Sequence, residues 1–214
     1  MRKTRQTRRT SPGQPPKIKL HVLGAAGEVT GSLNLVEVFH KGSVTRFLLD
    51  VGMHQENDNI NQSHRLPRGL TAKDIDFVVI SHAHIDHSGY LPKLIKDGFA
   101  GFAYTHVATK DLLRFLLPDS GRLQEAAADR ENQARKRSRE RGRVEPLYTT
   151  EDALESLDRI KVWSYNRNYQ MKGGISVKLT EACHILGAAV VTVNVGSGKS
   201  RKTICFTGNV GRSD

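Results

Sequence analysis

The sequence predicts an α/β sandwich, two sheets with helices packed outside. Three observations predict it. From Ile18 onward, short segments alternate apolar and polar residues, as half-buried strands do. In the middle, the unbroken apolar run Phe77, Val78, Val79, Ile80 reads as a strand buried on both faces, and segments of helical period follow it. From Ile175 the period of two returns. The 214 residues suffice for one domain with its own core.

In order along the chain, residues 1–16 are Arg, Lys, Thr, Gln, Ser, Gly and Pro after Met1. They predict a disordered basic arm ended by Pro15 and Pro16, with no apolar stretch of a secretory signal. The folded domain is then 17–214. Ile18, Leu20 and Val22 alternate with Lys19 and His21 as a first strand. A glycine-rich turn, Gly24 to Gly31, precedes a second strand through Leu33, Leu35, Val36 and Val38. Lys41, Gly42 and Ser43 turn the chain into a third, Val44 to Leu49, and the three begin an antiparallel meander.

After Ile80 the spacing of Leu91, Leu94 and Ile95 predicts a helix over 88–97. Tyr104 lies in a short strand. A helix over 107–117 carries Leu112, Leu113, Leu116 and Leu117 on one face. A further basic helix is predicted within 120–143, where Ala134 is the only apolar residue from Asp129 to Arg143. Such a segment cannot bury a face, so it projects into solvent or binds something acidic. Thr150 reads as the cap of a helix running to Leu157. Strands follow at Ile175–Thr180, Ala189–Val195 and Thr203–Thr207, with a hairpin turn at Gly196, Ser197 and Gly198.

The net charge of +11 is uneven. Residues 1–19 hold seven Lys/Arg and no acid, residues 122–143 hold eight against four, and the remainder carries 18 of each sign. A neutral body with two basic appendages suits a polyanionic partner, or a solubilising tail with a solvated helix face. No run approaches eighteen apolar residues, which excludes a membrane-spanning helix. Two cysteines build no disulfide framework and point to a reducing, cytoplasmic setting. Cys183 is expected to be a small buried residue. Gly198, Lys199 and Ser200 imitate the end of a phosphate-binding loop, but Val193 stands where its first glycine belongs. Gly24 to Gly31 lacks dinucleotide spacing and leads into a strand.

The chemistry concentrates in residues 82–87: His82, Ala83, His84, Ile85, Asp86, His87. His82 and His84, two apart on extended chain, point to one side. Asp86 and His87 fall where the chain turns into a helix and can aim beside them. A satisfied core histidine explains one such residue, not three with an aspartate in six positions. Imidazole nitrogen and carboxylate oxygen suit zinc, with iron or manganese also compatible. His184, before Ile185, Leu186 and Gly187, and Asp50, ending Phe47 to Leu49, are candidate partners, Asp50 as an orienter of a histidine.

The motif His82 to His87 matches the H-x-H-x-D-H signature of the metallo-β-lactamase fold, and the resemblance runs from about Ile18 to the last residue. Leu23 to Ser32, Leu48 to Gly52 and His184 to Gly187 are similar to the β-CASP branch of RNA-processing nucleases, which includes ribonuclease J and the pre-mRNA 3′-end processing endonuclease. The basic helix followed by Pro146, Leu147, Tyr148 and Thr149 resembles its bacterial and archaeal members. The resemblance implies the N-terminal part of a metallo-β-lactamase-like αββα sandwich. It implies one zinc on His82, His84 and His184 and a second on Asp86 and His87. Asp86 and Asp50 are the implied catalytic carboxylates, Asp50 acting from behind the site. The implied reaction is hydrolysis of single-stranded RNA by a zinc-activated hydroxide.

Two departures stand out. Asn209 occupies the position of the family's metal-bridging aspartate and is carried as a ligand with weaker hold on the second zinc. The chain also ends before the family's insert, its further histidine ligand and its closing strands. This predicts an uncovered sheet edge and apolar surface, met by a second copy or another partner. The alternative is an impaired or non-catalytic RNA-binding scaffold. A hydrolase of small esters or thioesters is a third reading, against which the arginine-rich helix speaks.

Overall fold

The structure is a computed structural model that describes residues 15–27, 29–54 and 65–212. The predicted arm, 1–16, lies outside the described residues except for its last two. The meander forms as predicted: β1 (Lys17–Val22), β2 (Leu33–His40) and β3 (Ser43–Val51) pair antiparallel. Lys41 and Gly42 join β2 to β3 with φ of 47° and 76°, the left-handed pair that a two-residue hairpin needs. Beyond β3 the pairing turns parallel, through β4 (Phe77–Val79), β5 (Phe102–His106) and β6 (Ile160–Trp163). These six make one sheet in chain order. A second sheet of β7 (Asn168–Met171), β8 (Ile175–Glu181), β9 (Ala189–Val195) and β10 (Lys202–Phe206) is antiparallel throughout.

The first sheet is buried on both faces. Leu35, Leu48, Val78 and Ile80 meet the helices α1 (Ile85–Ser88), α2 (Leu91–Lys96), α3 (Val107–Ser138) and α4 (Thr150–Ser156) through Leu91, Leu94, Leu113 and Ala153. The opposite face, with Val36, Phe47, Leu49 and Val79, meets Ile175, Val177, Val191 and Val193 of the second sheet. Parallel strands buried on both sides explain the unbroken apolar run at 77–80. Among the described residues the helices cover only the first sheet, so three of the four expected layers are present.

The uncovered face of the second sheet is not where exposed apolar surface lies. It presents Ser176, Lys178, Thr180, Thr192 and Asn194, half-buried and polar, with Val190 the apolar exception. Period-two alternation places its apolar residues inward. Exposed apolar residues include Phe115 and Leu186, 75% and 72% exposed, and, on the edge strand β1, Leu20 and Val22, 55% and 53% exposed. Leu20 and Val22 face the same side as Val36 and Val38.

Three corrections concern the helices. The predicted helices at 107–117 and within 120–143 are one helix, α3, which runs straight through Pro118. Gly121 lets α3 sit directly on the chain entering α4, since an added Cβ would lie 2.8 Å from the Thr149 carbonyl oxygen. The cap of α4 is Thr149, not Thr150. The Thr149 hydroxyl accepts from the Asp152 N–H at 3.1 Å, and the Asp152 carboxylate accepts from the Thr149 N–H at 2.9 Å. The predicted helix over 88–97 is broken into α1 and α2 at Gly89 and Tyr90. No described helix is long and apolar enough to cross a membrane.

Candidate metal centre

The ends of strands from both sheets meet at one rim. β4 runs through Ile80 and Ser81 into His82, and the polypeptide then turns into α1. β8 runs through Ala182 and Cys183 into His184. This brings His184 from a hundred residues away. Its Nε2 lies 3.3 Å from Nδ1 of His84, and Nε2 of His82 lies 3.1 Å from the same atom. The three rings stand nearly perpendicular in pairs, at 78°, 79° and 89°.

Tetrahedral zinc with Zn–N of about 2.0–2.1 Å separates its nitrogen ligands by about 3.3–3.4 Å. The observed spacing and the convergence of three rings fit a single cation with a fourth position open. Charge state fits as well. Burial and the neighbouring rings of His87, His84 and His184 push His82 down to about 3. Burial and the rings of His84 and His87 also lower His184, against a smaller opposing effect of Asp86. Both are therefore neutral near pH 7, the form that ligates metal.

Asp50 lies beneath this cluster with no exposed surface. Its Oδ1 accepts from the Ser81 N–H at 2.7 Å. Its Oδ2 accepts from the Ser81 hydroxyl at 3.0 Å, the Ser32 hydroxyl at 3.3 Å and Nδ1 of His87 at 2.6 Å. Ser81, having given its proton to Asp50, accepts from Nδ1 of His82 at 3.0 Å. One buried carboxylate thus sets two tautomers: His82 and His87 both carry the proton on Nδ1 and present a bare Nε2. Burial alone would lower His87, but the hydrogen bond and charge of Asp50, with Asp86, raise it. Asp50 holds this position at φ 59°, an uncommon conformation for a non-glycine residue.

Asp86 and His87 form a second pair beside the first cluster. Nε2 of His87 is 3.5 Å from the Asp86 carboxylate, and the His82 and His87 ring centroids are 4.1 Å apart. Asn209 is exposed, between two glycines that touch the histidine loops. A Cβ on Gly208 would lie 2.7 Å from the Ser81 hydroxyl, and one on Gly211 would lie 1.6 Å from the Cys183 carbonyl oxygen. Segment 208–211 therefore crosses from the His82 loop to the His184 loop. Cys183 is exposed at φ 54°, contrary to the buried role expected of it. Its left-handed backbone turns the chain so that Ala182, not the thiol, points inward.

Three supporting residues carry no motif-level signal. Ser81 and Ser32 are ordinary serines in sequence. Arg65 is 9% exposed and donates to the carbonyls of Gly52 at 2.6 Å and Gly31 at 2.8 Å. It ties the glycine-rich turn to the turn after β3. That second turn must be glycine: a Cβ on Gly52 would lie 1.7 Å from the Asp86 carbonyl oxygen.

Fold and site together define a class: a sandwich of two sheets whose strand-end loops converge imidazoles and carboxylates at metal-ligand spacing. The chain belongs to the metallo-beta-lactamase superfamily, whose family model matches residues 31–169. It is 31% identical over 191 residues to "Ribonuclease TTHA0252" of Thermus thermophilus, covering 89% of this chain and 37% of that protein. It is 30% identical to "Transcription termination factor FttA" of Cenarchaeum symbiosum, over 85% of this chain and 26% of that protein. It is 29% identical to "Endoribonuclease YSH1" of Candida albicans, over 92% and 21% respectively. The chain thus spans between about a fifth and just over a third of these relatives' length. A solved B3 metallo-beta-lactamase with an active-site glutamic acid shares the fold, at TM-score 0.51 and 18% identity over 91% of this chain and 62% of that one.

Proposed function

We propose that this chain is the metal-bearing part of a zinc-dependent phosphodiesterase acting on single-stranded RNA in the cytoplasm. The observation that carries the reading is the convergence of His82, His84 and His184 at ligand spacing, beside the His87–Asp86 pair. The ribonuclease names of the relatives in bacteria and fungi support the substrate, and the basic surplus is compatible with it. His82, His84 and His184 would hold one zinc ion. Asp86 and His87, with Asn209, would hold a second more weakly. Zinc, when bound, supplies Lewis acidity towards the phosphoryl group and towards water. Asp50 keeps the protons of His87 and, through Ser81, of His82 on the nitrogens that face away from the metal. It is thus a positioning residue, and Asp86 is the carboxylate that faces the second position.

Asn209 favours a second reading, a scaffold that binds RNA without cleaving it. Asparagine offers one neutral oxygen where aspartate offers two and a negative charge, so two dications repel with less compensation. Metal analysis and RNA cleavage test both readings. The enzyme reading expects more than one zinc per chain and measurable cleavage of single-stranded RNA, with Asn209→Asp raising metal content and rate. One zinc or fewer, RNA binding without cleavage, and no gain from the substitution would leave the scaffold.

A further inference from the structure

We propose that the far end of α3 and the segment returning from it form a clamp for the sugar–phosphate backbone of RNA, distinct from the metal centre. This rests on the reading of RNA as the substrate and adds where, and how, the strand is gripped away from the chemistry.

The helix α3 buries nothing after Ala128, yet it continues for ten more residues. Residues 129–143 hold seven Lys/Arg against three Asp/Glu. Arg135 is paired with Glu131 at 2.8 Å and Arg143 with Glu145 at 3.1 Å. Among the described residues, Arg130, Lys136, Arg137, Arg139 and Arg141 have no acidic partner within 4.0 Å. Arg130 and Arg137, seven apart, share a helix face. The chain then reverses at Arg139, in left-handed conformation at φ 59°, with the Glu140 N–H bonded to the Arg135 carbonyl at 2.9 Å. Asn132 fastens the returning segment: its amide donates to the Val144 carbonyl and accepts from the Val144 N–H, both at 2.8 Å. The arginines of the return, Arg139 and Arg141, are thereby held near those of the helix.

Helix-dipole compensation, a protein partner and a membrane surface each account for this segment less well. Complementing the helix dipole needs one or two cations in the last turn, not a run through several turns. A protein partner would need an apolar patch to desolvate, and Ala134 is the only apolar residue from 129 to 143. A membrane surface would need an apolar helix face to insert, which is missing for the same reason. Guanidinium forks suit phosphate, and the absence of aromatic residues predicts grip without sequence preference.

The clamp is joined to the metal centre through α3, which meets its loops at two points. The Thr109 hydroxyl, in the first turn of α3, donates to the carbonyl of Gly187 in the His184 loop at 2.8 Å. Further along, the Gln124 amide donates to Sδ of Met53 at 3.8 Å, and the Met53 N–H bonds to the carbonyl of Ile85, between His84 and Asp86, at 2.9 Å. From Gln124 to Arg130 the helix rises about 9 Å at ~1.5 Å per residue. At ~3.4 Å per stacked nucleotide, that is about three nucleotides beyond this second contact.

The test measures binding of a 20-nucleotide single-stranded RNA across a salt series. It compares the full chain with a variant carrying Gln at Arg130, Lys136, Arg137, Arg139 and Arg141. Residues 1–16 stay in both. With ~0.7 per neutralised phosphate, the slope of log K against log salt should fall by about 3.5. Affinity near 0.1 M salt should fall more than tenfold. Zinc content should stay unchanged. Lys at the same five positions should keep the slope, and its loss there would trace the effect to altered structure and overturn the clamp. An unchanged slope in the Gln variant, with the parent chain binding RNA, overturns the clamp alone. No RNA binding by the parent chain overturns the RNA reading itself. Clamp-dependent binding to vesicles containing phosphatidylserine, with clamp-independent RNA binding, would replace RNA by a membrane surface.

Discussion

Asp50 concentrates the logic of the site in a single side chain. It is fully buried, and four donors use its two oxygens. Replacing it by Asn keeps the shape, removes the charge, and turns an NH2 group toward Ser81 or His87, which both donate. A buried donor facing a donor loses its own bond and the neighbour's. Asp50→Asn is expected to cost about 3 kcal/mol of stability. Because His82 and His87 also lose their imposed tautomer, zinc affinity should fall ~10–100-fold even in the folded fraction. Denaturation curves and zinc competition titration check the two effects separately; a stability loss with unchanged zinc affinity would reduce Asp50 to a core residue. Much of the candidate site was legible from spacing alone, because His82, His84, Asp86 and His87 lie within six residues. The support around it was not. Ser81, Ser32 and Arg65 act through contacts with residues up to 34 positions away, and nothing local marks them.

The elements were legible where local period and local chemistry agreed. The β2–β3 hairpin and the strands β8 and β9 follow their alternation closely. β6 and β7 have only four residues each, too few for a period to show. For α3, local and tertiary preferences conflict. Pro118 and Gly121 argue for a break. Against that, Leu113 and Leu117 are fully buried, the Tyr148 hydroxyl donates to the Ser120 hydroxyl at 2.8 Å, and the Thr150 hydroxyl donates to Glu125 at 2.5 Å. Docking of α4 therefore bridges the weak point. That docking depends on where α4 begins, and Thr149 sets the beginning. Thr149→Ala is expected to cost about 1 kcal/mol, a fall of roughly 2–4 °C in melting temperature for a domain of this size. Thermal unfolding of the metal-free chain measures it. Thr150→Ala should also weaken the contact with Glu125 but leave the cap of α4 intact. Equal losses from the two variants through loss of helix content would contradict the assignment of the cap.

Across the whole molecule, the metal centre joins parts that share little else at that rim. His82 and His84 belong to the first sheet and His184 to the second. The inter-sheet core of Val36, Phe47, Leu49, Val177, Val191 and Val193 holds the sheets together deeper in. At the rim the links are the Ala189 N–H to the Ser81 carbonyl at 2.9 Å and, from the helix packed on the first sheet, the Thr109 hydroxyl to the Gly187 carbonyl at 2.8 Å. A cation gripped by all three histidines would cross-link the two sheets in the native state and find no such triad in the unfolded chain. Free zinc at a hundred times its dissociation constant should then add about 2.7 kcal/mol, or roughly 5–10 °C in melting temperature. His184→Ala removes the only ligand of the triad supplied by the second sheet and should abolish most of that gain, while leaving the metal-free melting temperature close to that of the parent chain, since His184 is only half-buried. A scan with and without zinc on both proteins decides it. A zinc-dependent rise of equal size in the variant would mean that the stabilising metal sits on the first sheet alone, and that the two sheets are held by their apolar core without help from the site.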